Sequence, residues 1–379
     1  METEEERSLR RRRRLREMKR RKRRMEFINR RLIPAAGLVI LLVCIFWTGS
    51  AIKGQADRSR NGQQDVAGMS GGQGTAQTAA IGDTAGYAGL AKGKRKVEEP
   101  LPPEEPVPVI YEAHSSAVTR GFSEDIVSKY GIFIDLEEGE ILAQKDSGVR
   151  MSPASMTKML TVLVAAEHVR EEQLDDTVPI TIDITDYCYI NECSVVGFAL
   201  NEQVPVRDLF YGTILPSGAD AAVALAVYVA GSHEAFVELM NEKLEELGLS
   251  ETTHFTNCVG LYDKEHYSTA YDMAMILKAA SDNEFCRELL SAHTYNTAKT
   301  EQHPEGLLKS NMFLRRMEDR DTHGDILCGK TGYVTQSGSC AASLGVDING
   351  REYICVTAGS STTMQCIADQ TALYQSLLP

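Results

Sequence analysis

A mixed α/β (α+β) domain, with an antiparallel sheet flanked by helices, is predicted for residues 111–379 of this chain. Three observations predict it: strand-like hairpin patterns at both ends of the stretch, helical patterns through its middle, and a low-complexity spacer that closes it off on the N-terminal side. Tyr130–Asp135 (YGIFID) and residues 141–144 (ILAQ) are short β-rich runs around the turn Glu137-Glu138-Gly139-Glu140, which reads as a hairpin. Near the C-terminus, residues 340–346 and 352–357 flank Asp347-Ile348-Asn349-Gly350, a second hairpin whose Asn-Gly pair accommodates positive φ. Helical patterns occupy residues 155–170, 220–230, 233–247 and 269–280. Strands at both ends with helices between imply a sheet assembled from the two ends of the domain around a helical region.

The whole chain has 379 residues, 43% hydrophobic and 25% charged, which excludes a disordered or collagen-like protein. The net charge of -13 hides a sharp division, because residues 1–31 carry fifteen Lys and Arg against six Glu. The rest is correspondingly more acidic, which argues against a soluble nucleic-acid binder. Residues 32–52 explain the division. They run through LVILLVCIFW at Leu38 to Trp47 without a charge, and at ~1.5 Å per residue they suffice to cross a hydrocarbon core of ~30 Å. Arg30 and Arg31 at the near end make the N-terminal side cytoplasmic by the positive-inside rule, with everything after Ile52 outside. A cleaved signal peptide is the competing reading, since Gly49-Ser50-Ala51 offers a small-residue cut site. The long polar stretch before the apolar run favours an uncleaved anchor. The basic runs Arg10 to Arg14 and Lys19 to Arg24 can be read as a nucleic-acid or anionic-lipid patch; with no aromatic residue among the charges before Phe27, an orientation signal at the inner leaflet is preferred.

Residues 53–97 are rich in Gly, Gln, Ala and Thr and hold ten of the thirty glycines, and residues 98–108 (EEPLPPEEPVP) hold five of the twelve prolines. No core forms from such composition, and the proline run favours extended chain. The expected organisation is a basic cytoplasmic tail (1–31), a transmembrane anchor (32–52), a flexible spacer (53–110) and the folded domain (111–379). Of nine cysteines, Cys44 lies in the apolar run and eight come after it, an even number for which spacing assigns no pairing. No CxxC or CxxH pattern suggests structural zinc. Cys340 and Cys355, each in an apolar strand pattern, read as small core residues.

The strongest chemical signal is Ser152-Pro153-Ala154-Ser155-Met156-Thr157-Lys158. Ser152 reads as an N-cap and Pro153 as the first helical residue, which places Ser155 in the first turn of a helix, where free N–H groups favour developing negative charge. Lys158 is one turn on, on the same face. The residues beyond are apolar nearly all round, as in a helix buried in a domain centre. A lysine buried there loses hydration of its charged form, and its neutral amine can take the serine proton. Taken alone, S-x-x-K is common by chance and reads first as a capped helix with a surface Ser and Lys. Two further motifs change that weighing. Leu215-Pro216-Ser217-Gly218-Ala219-Asp220 puts a serine in a turn before a helix, and Cys328-Gly329-Lys330-Thr331-Gly332-Tyr333 puts Lys-Thr-Gly on an expected edge strand, where Gly332 lets a ligand backbone come close. The order S-x-x-K, S-x-N-like, K-T-G is the signature of penicillin-binding proteins and class A β-lactamases.

With these motifs the chain resembles the low-molecular-weight penicillin-binding proteins that act as D-alanyl-D-alanine carboxypeptidases. The resemblance covers about the last 250 residues and includes YGIFIDLEEGEILAQKD from Tyr130, FVELMNEKLEELGLSETTHFTNCVGL from Phe236 and HYSTAYDMAMI from His266. It implies a serine DD-peptidase/β-lactamase-like fold, with an antiparallel sheet flanked by helices, an all-helical lobe and the active site between them. It implies Ser155 as nucleophile, Lys158 as its base, Ser217 as a proton-moving group, and Lys330 with Thr331 and Gly332 as the seat of a substrate ending in a carboxylate. The backbone N–H groups of Ser155 and Tyr333 would form the oxyanion hole. The implied activity is removal of the terminal D-alanine of peptidoglycan stem peptides, with acylation by β-lactams and no metal or organic cofactor. The implied setting is the bacterial cell membrane, single-pass, with the domain extracytoplasmic.

The departure is Ala219, where the family has Asn; a catalytically weak or inactive wall scaffold is therefore the alternative, and a β-lactamase ranks below it. Lys330 is expected to depress the pKa of Lys158 by like-charge repulsion. Asn311, in Lys309-Ser310-Asn311, is placed either near the cleft or in a surface turn. His254, His266, His293 and His303 have no nucleophile elbow beside them and read as structural or exposed, and Asp263 with Asp272 read as capping or solvating groups rather than an acid/base pair.

Overall fold

The computed structural model describes residues 111–378. The basic tail, the apolar segment at 32–52, the spacer to residue 110 and Pro379 lie outside the described residues. In chain order the elements are β1 (His114–Gly121), β2 (Tyr130–Asp135), β3 (Glu140–Lys145), a 3-10 turn (Ala154–Thr157) and α1 (Lys158–His168). Next come β4 (Thr177–Pro179), α2 (Ile182–Ile190), β5 (Gln203–Pro205), α3 (Val206–Ile214), α4 (Ala219–Ala230) and α5 (His233–Glu246). Beyond these lie α6 (Ala270–Asp282), α7 (Glu284–Ser291), β6 (Thr294–Asn296), β7 (Leu308–Ser310) and α8 (Leu314–Met317). The chain closes with β8 (Gly324–Val334), β9 (Gly338–Asp347), β10 (Glu352–Ser360) and α9 (Thr363–Leu377).

The main sheet has six strands in the order β1-β3-β2-β10-β9-β8. Both predicted hairpins are present, and β2 pairs antiparallel with β10, which sets Phe133 opposite Cys355 and joins the two ends of the domain. Only β1 runs parallel to its neighbour, β3. The runs YGIFID and EYICVTA are buried along nearly their whole length because both faces of the sheet are covered. Ile132, Ile134, Ile354 and Val356 belong to the core shared with the helices, whereas Phe133, Tyr353 and Cys355 alternate onto the other face and pack on Leu373 and Tyr374 of α9. Strand periodicity thus serves two cores at once. Among the described residues no single helix is long and apolar enough to cross a membrane; α1 and α4, apolar all round, are core helices of the helical region.

Two expectations about the nucleophile's helix need correction. Ser152 caps nothing: its hydroxyl oxygen is buried without a hydrogen-bond partner, and Pro153 precedes a 3-10 turn rather than an α-helix. Ser155 lies in that turn, and α1 starts only at Lys158. In 3-10 geometry residues three apart eclipse one another, so the tighter turn stacks Lys158 on Ser155 more directly than an α-turn does. The helix also ends two residues earlier than expected, where Val169 turns extended (φ -109°, ψ 120°). Cys340 and Cys355 are buried as expected, and no two of the eight described cysteines are joined by a disulfide.

Candidate active site

Four segments meet around Ser155. The first is its own 3-10 turn, entered through Ala154, which is fully buried and holds a left-handed φ of 48°. For a residue with a Cβ this conformation is strained. The second is Lys158, 2% exposed, whose Nζ donates to Ser155 Oγ at 3.2 Å and to the Val259 carbonyl at 2.7 Å. Burial holds its amine down to about 8. At this value about a tenth of the amine is neutral at pH 7, and in that form the Nζ lone pair can accept the Ser155 proton across the same short separation.

The third segment is the turn after α5, which local sequence patterns did not assign to the site. Asn257 Oδ1 accepts from the amides of Val259, Gly260 and Leu261 at 3.2, 2.7 and 2.9 Å. This clamp aims the Val259 carbonyl at Lys158. Gly260 sits at φ +83°, and a Cβ there would lie 1.9 Å from the Ala154 carbonyl oxygen, so only glycine lets the turn close on the backbone before Ser155. His266 braces the arrangement from below. Its Nδ1 accepts from the Thr256 amide at 3.1 Å, which leaves the ring proton on Nε2 to donate to the Thr157 hydroxyl at 2.9 Å. Burial holds its pKa down to about 3, so the ring is neutral and structural, as the absence of a nucleophile elbow suggested. The signal that marks this turn is the Asn-x-x-Gly spacing within FTNCVGL, a turn pattern with positive φ at its end.

The fourth segment is β8, which forms the sheet edge, as predicted for the Lys-Thr-Gly strand. Lys330 is 2% exposed and donates to Ser217 Oγ at 2.9 Å and to the Thr331 carbonyl at 2.9 Å. Ser217 is buried in the turn before α4 with φ 60°, so its hydroxyl is brought to Lys330. The expected repulsion between the two lysines is expressed on Lys330, whose amine is held well below its ordinary value by burial first and by the Lys158 charge second. The expectation that Lys330 depresses Lys158 is corrected: burial is what lowers the Lys158 amine. Gly332 also differs from expectation. A Cβ there would meet the Ser155 amide nitrogen at 2.9 Å and the Ala154 Cβ at 3.0 Å, so what this glycine admits is the backbone of Ser155 itself. The amides of Ser155 and of the next residue, Tyr333, therefore come from neighbouring stretches of chain, while the Tyr333 side chain is 61% exposed.

Ala219 is 1% exposed, and its amide donates to the Ser194 carbonyl at 2.8 Å. Asn311 is buried, not in a surface turn: its Oδ1 accepts from the Phe313 and Leu314 amides, and its Nδ2 donates to Leu290 and Gly329 carbonyls at 3.2 and 3.5 Å. It braces β8 one residue before Lys330. Asp272 accepts from the Thr252 and Thr253 hydroxyls and Asp263 from the Glu265 amide, so they form no acid/base pair. A cavity of about 640 Å³ beside Glu137, Lys278 and Arg351 lies elsewhere, and its Arg351 is already paired with Asp135 and Glu137.

Residues 115–362 match the family described as D-alanyl-D-alanine carboxypeptidase. The chain belongs to this carboxypeptidase family. D-alanyl-D-alanine carboxypeptidase DacF of Bacillus subtilis is 29% identical to it over 246 residues, which is 65% of this chain and 61% of that protein. DacA of Escherichia coli is 40% identical over 152 residues, 39% of this chain and 38% of that protein. The chain thus spans less than two thirds of the length of these curated relatives. Among solved structures, a mutant Streptomyces DD-transpeptidase superposes with a TM-score of 0.60 at 26% identity, covering 67% of this chain and 99% of that one. Penicillin binding protein 5 from Haemophilus influenzae does so with 0.60 at 28%, covering 67% and 72%. Chain and relatives share the mixed α+β fold, and in this carboxypeptidase family member the three motifs meet where β8, the 3-10 turn and the start of α4 converge.

Proposed function

We propose that this protein is a serine-type D-Ala-D-Ala carboxypeptidase that trims the terminal D-alanine from peptidoglycan stem peptides through a Ser155 acyl-enzyme and is acylated by β-lactams. The observation that carries this reading is the buried Lys158 amine 3.2 Å from Ser155 Oγ. Neutral Lys158 takes the Ser155 proton as Oγ adds to the carbonyl carbon of the penultimate D-alanine. The carbonyl electrons move onto oxygen, which accepts hydrogen bonds from the amides of Ser155 and Tyr333. The C–N bond then breaks, the proton passes to the departing D-alanine amine, with Ser217 as the relay on the Lys330 side, and water hydrolyses the acyl-enzyme. Lys330 has no carboxylate partner among the described residues; the terminal carboxylate of the substrate supplies one and favours the protonated amine, with Thr331 next to it in β8. The scaffold alternative raised by Ala219 finds no support in the geometry, which keeps both hydrogen-bonded pairs, Ser155 with Lys158 and Ser217 with Lys330.

Intact-mass spectra after penicillin treatment test the assignment. The natural chain is expected to gain one acyl adduct and to release D-alanine from a pentapeptide, and Ser155→Ala to do neither; equal labelling of both would overturn it. We also propose that residues 32–52 anchor the domain outside a bacterial membrane, a reading supported by the uncharged run after Arg30 and Arg31. Protease added to intact spheroplasts is expected to cut within residues 53–108 and release the domain. Protection until lysis would reverse the orientation.

A further inference from the structure

Cys188 lies in the last turn of α2, and Cys193 stands in the loop between α2 and β5, whose next residues pack on the second motif. The Cys193 amide donates to the Cys188 carbonyl at 3.0 Å, closing the chain between them into a tight turn. The Cys193 side chain is the neighbour that, with burial, pushes the Cys188 thiol far up, so the turn sets the two thiols near each other. Cys188 is buried and Cys193 half-buried, so of the two Cys193 is the one a reagent meets first.

The residues just past Cys193 give the pair leverage on the site. The Ser194 carbonyl accepts from the Ala219 amide at 2.8 Å, and the Asp220 carboxylate accepts from the Val196 and Gly197 amides at 2.8 and 3.0 Å. Val196 Cγ2 fills the space in which a Cβ on Gly212 or Gly218 would stand, at 2.6 and 2.5 Å. Residues 194–197 are thus the wall on which Ser217-Gly218-Ala219 rests, and Ser217 holds its left-handed φ against that wall. A sulfur–sulfur bond is ~2.0 Å long, shorter than any contact between two free thiols, so closing it draws Cys193 and the residues after it toward α2.

We propose that Cys188 and Cys193 form a reversible disulfide whose formation shifts residues 194–197 and slows acylation of Ser155 by displacing Ser217. The chemistry is thiol–disulfide exchange with a small-molecule disulfide. Cys193, as thiolate, attacks one sulfur of the oxidant, forming a mixed disulfide and expelling one thiol. The Cys188 sulfur, on losing its proton, attacks Cys193 Sγ and expels the second thiol. Two protein thiols lose two electrons and two protons, and the oxidant disulfide gains them. The Cys193 side chain beside it, together with burial, pushes the Cys188 thiol far up, so the second step sets the pace and a dithiol reductant reverses the bond.

The activity half of this inference rests on the acyl-enzyme reading above; the disulfide does not. The full chain in detergent is incubated with oxidised glutathione or with dithiothreitol, unfolded, alkylated and mapped by mass spectrometry. In the oxidised sample the peptide holding both cysteines is expected to escape alkylation and to lack the mass of two hydrogens. Labelling by a fluorescent penicillin is expected to slow by about tenfold, since a ~1 Å misplacement near the chemistry can cost up to about 10²-fold. Dithiothreitol restores the rate, and Cys193→Ser, or Cys188→Ala as a second variant, makes it indifferent to oxidant. Full alkylation of both cysteines, glutathione that stays on Cys193, or a disulfide that leaves labelling unchanged would each overturn the proposal. A reduced protein that takes no penicillin would defeat the acyl-enzyme reading alone. Amide hydrogen exchange across residues 194–220 then decides: faster exchange on oxidation supports the proposal, and unchanged exchange overturns it.

Discussion

Between the sheet and α9, Phe133 meets Tyr374 edge-on with ring centroids 5.1 Å apart, and the Ser343 hydroxyl reaches Gln370 Oε1 at 2.6 Å, so buried rings are packed and buried polar groups are paired. In β2, β9, β10 and α9 positive φ is confined to glycine. Around Ser155 the pattern inverts. Ala154 and Ser217 hold left-handed backbone, and Lys158 and Lys330 are both buried with hydroxyls and carbonyls, not carboxylates, as their hydrogen-bond partners. The first region supplies stability that the second gives up for reactivity. Strain and a buried amine persist around Ser155 because the surrounding core over-determines them.

Replacing Lys158 by Met breaks the comparison most sharply. Loss of a general base is expected to cost about 10²–10⁴-fold in penicillin acylation, while the folded protein gains about 1–2 kcal/mol. The fall in pKa from 10.5 to about 8 corresponds to roughly 3 kcal/mol of unfavourable burial of the ammonium, against about 1–1.5 kcal/mol for the lost Val259 hydrogen bond. The sign comes from proton binding: below pH 8 both states are protonated and the penalty is complete, and it shrinks between about pH 8 and 10.5 as the folded state no longer binds the proton that the unfolded state still holds. Thermal melts at pH 7 and pH 10 check this; a lower Tm for Lys158→Met at pH 7 would show that the lysine contributes to folding.

Phe133→Ala is the mirror experiment. It removes a fully buried ring from the sheet–α9 core, with an expected loss of about 3–5 kcal/mol in denaturant unfolding. Acylation of the molecules that remain folded is expected to be unchanged, and a parallel loss of acylation rate would show that the two regions are not separable. The smallest effect is the pH profile of the natural chain. Acylation is expected to rise about tenfold per pH unit below 8 and level off above it, and a flat profile from about pH 6 to 9 would mean that Lys158 is not the base.

The two hairpins are legible in the sequence because their apolar runs are bounded by turn residues, and the long helices because their period is sustained. Strands β4 to β7 are three residues each and carry no period to read, and β1 is exposed and polar, HSSAVTRG. At the site, each of the three motifs is contiguous in sequence and could be read. The Asn257 clamp acts on Lys158 from about a hundred residues away, through a backbone carbonyl, and a contact of that kind leaves no local pattern. Ser152 misled for the opposite reason: a strong local cap preference is overridden by the packing that forces Ala154 to φ 48°. Asn311 is a turn residue by composition, and only the tertiary fold reveals that its turn is buried.

The pairing of β2 with β10 has a consequence for how the chain acquires its active site. The outer hairpin and the last strands meet across almost the whole domain, so the sheet has high contact order and closes late in folding. Gly332, which seats the Ser155 amide, lies in β8 and reaches it only through that closed sheet. A nascent or half-folded chain therefore carries its serine and lysine on one short turn without the partner strand that completes the pocket. Covalent capture by a β-lactam would report the finished fold, and a pulse of labelled penicillin during refolding would time the moment at which the two ends of the domain join.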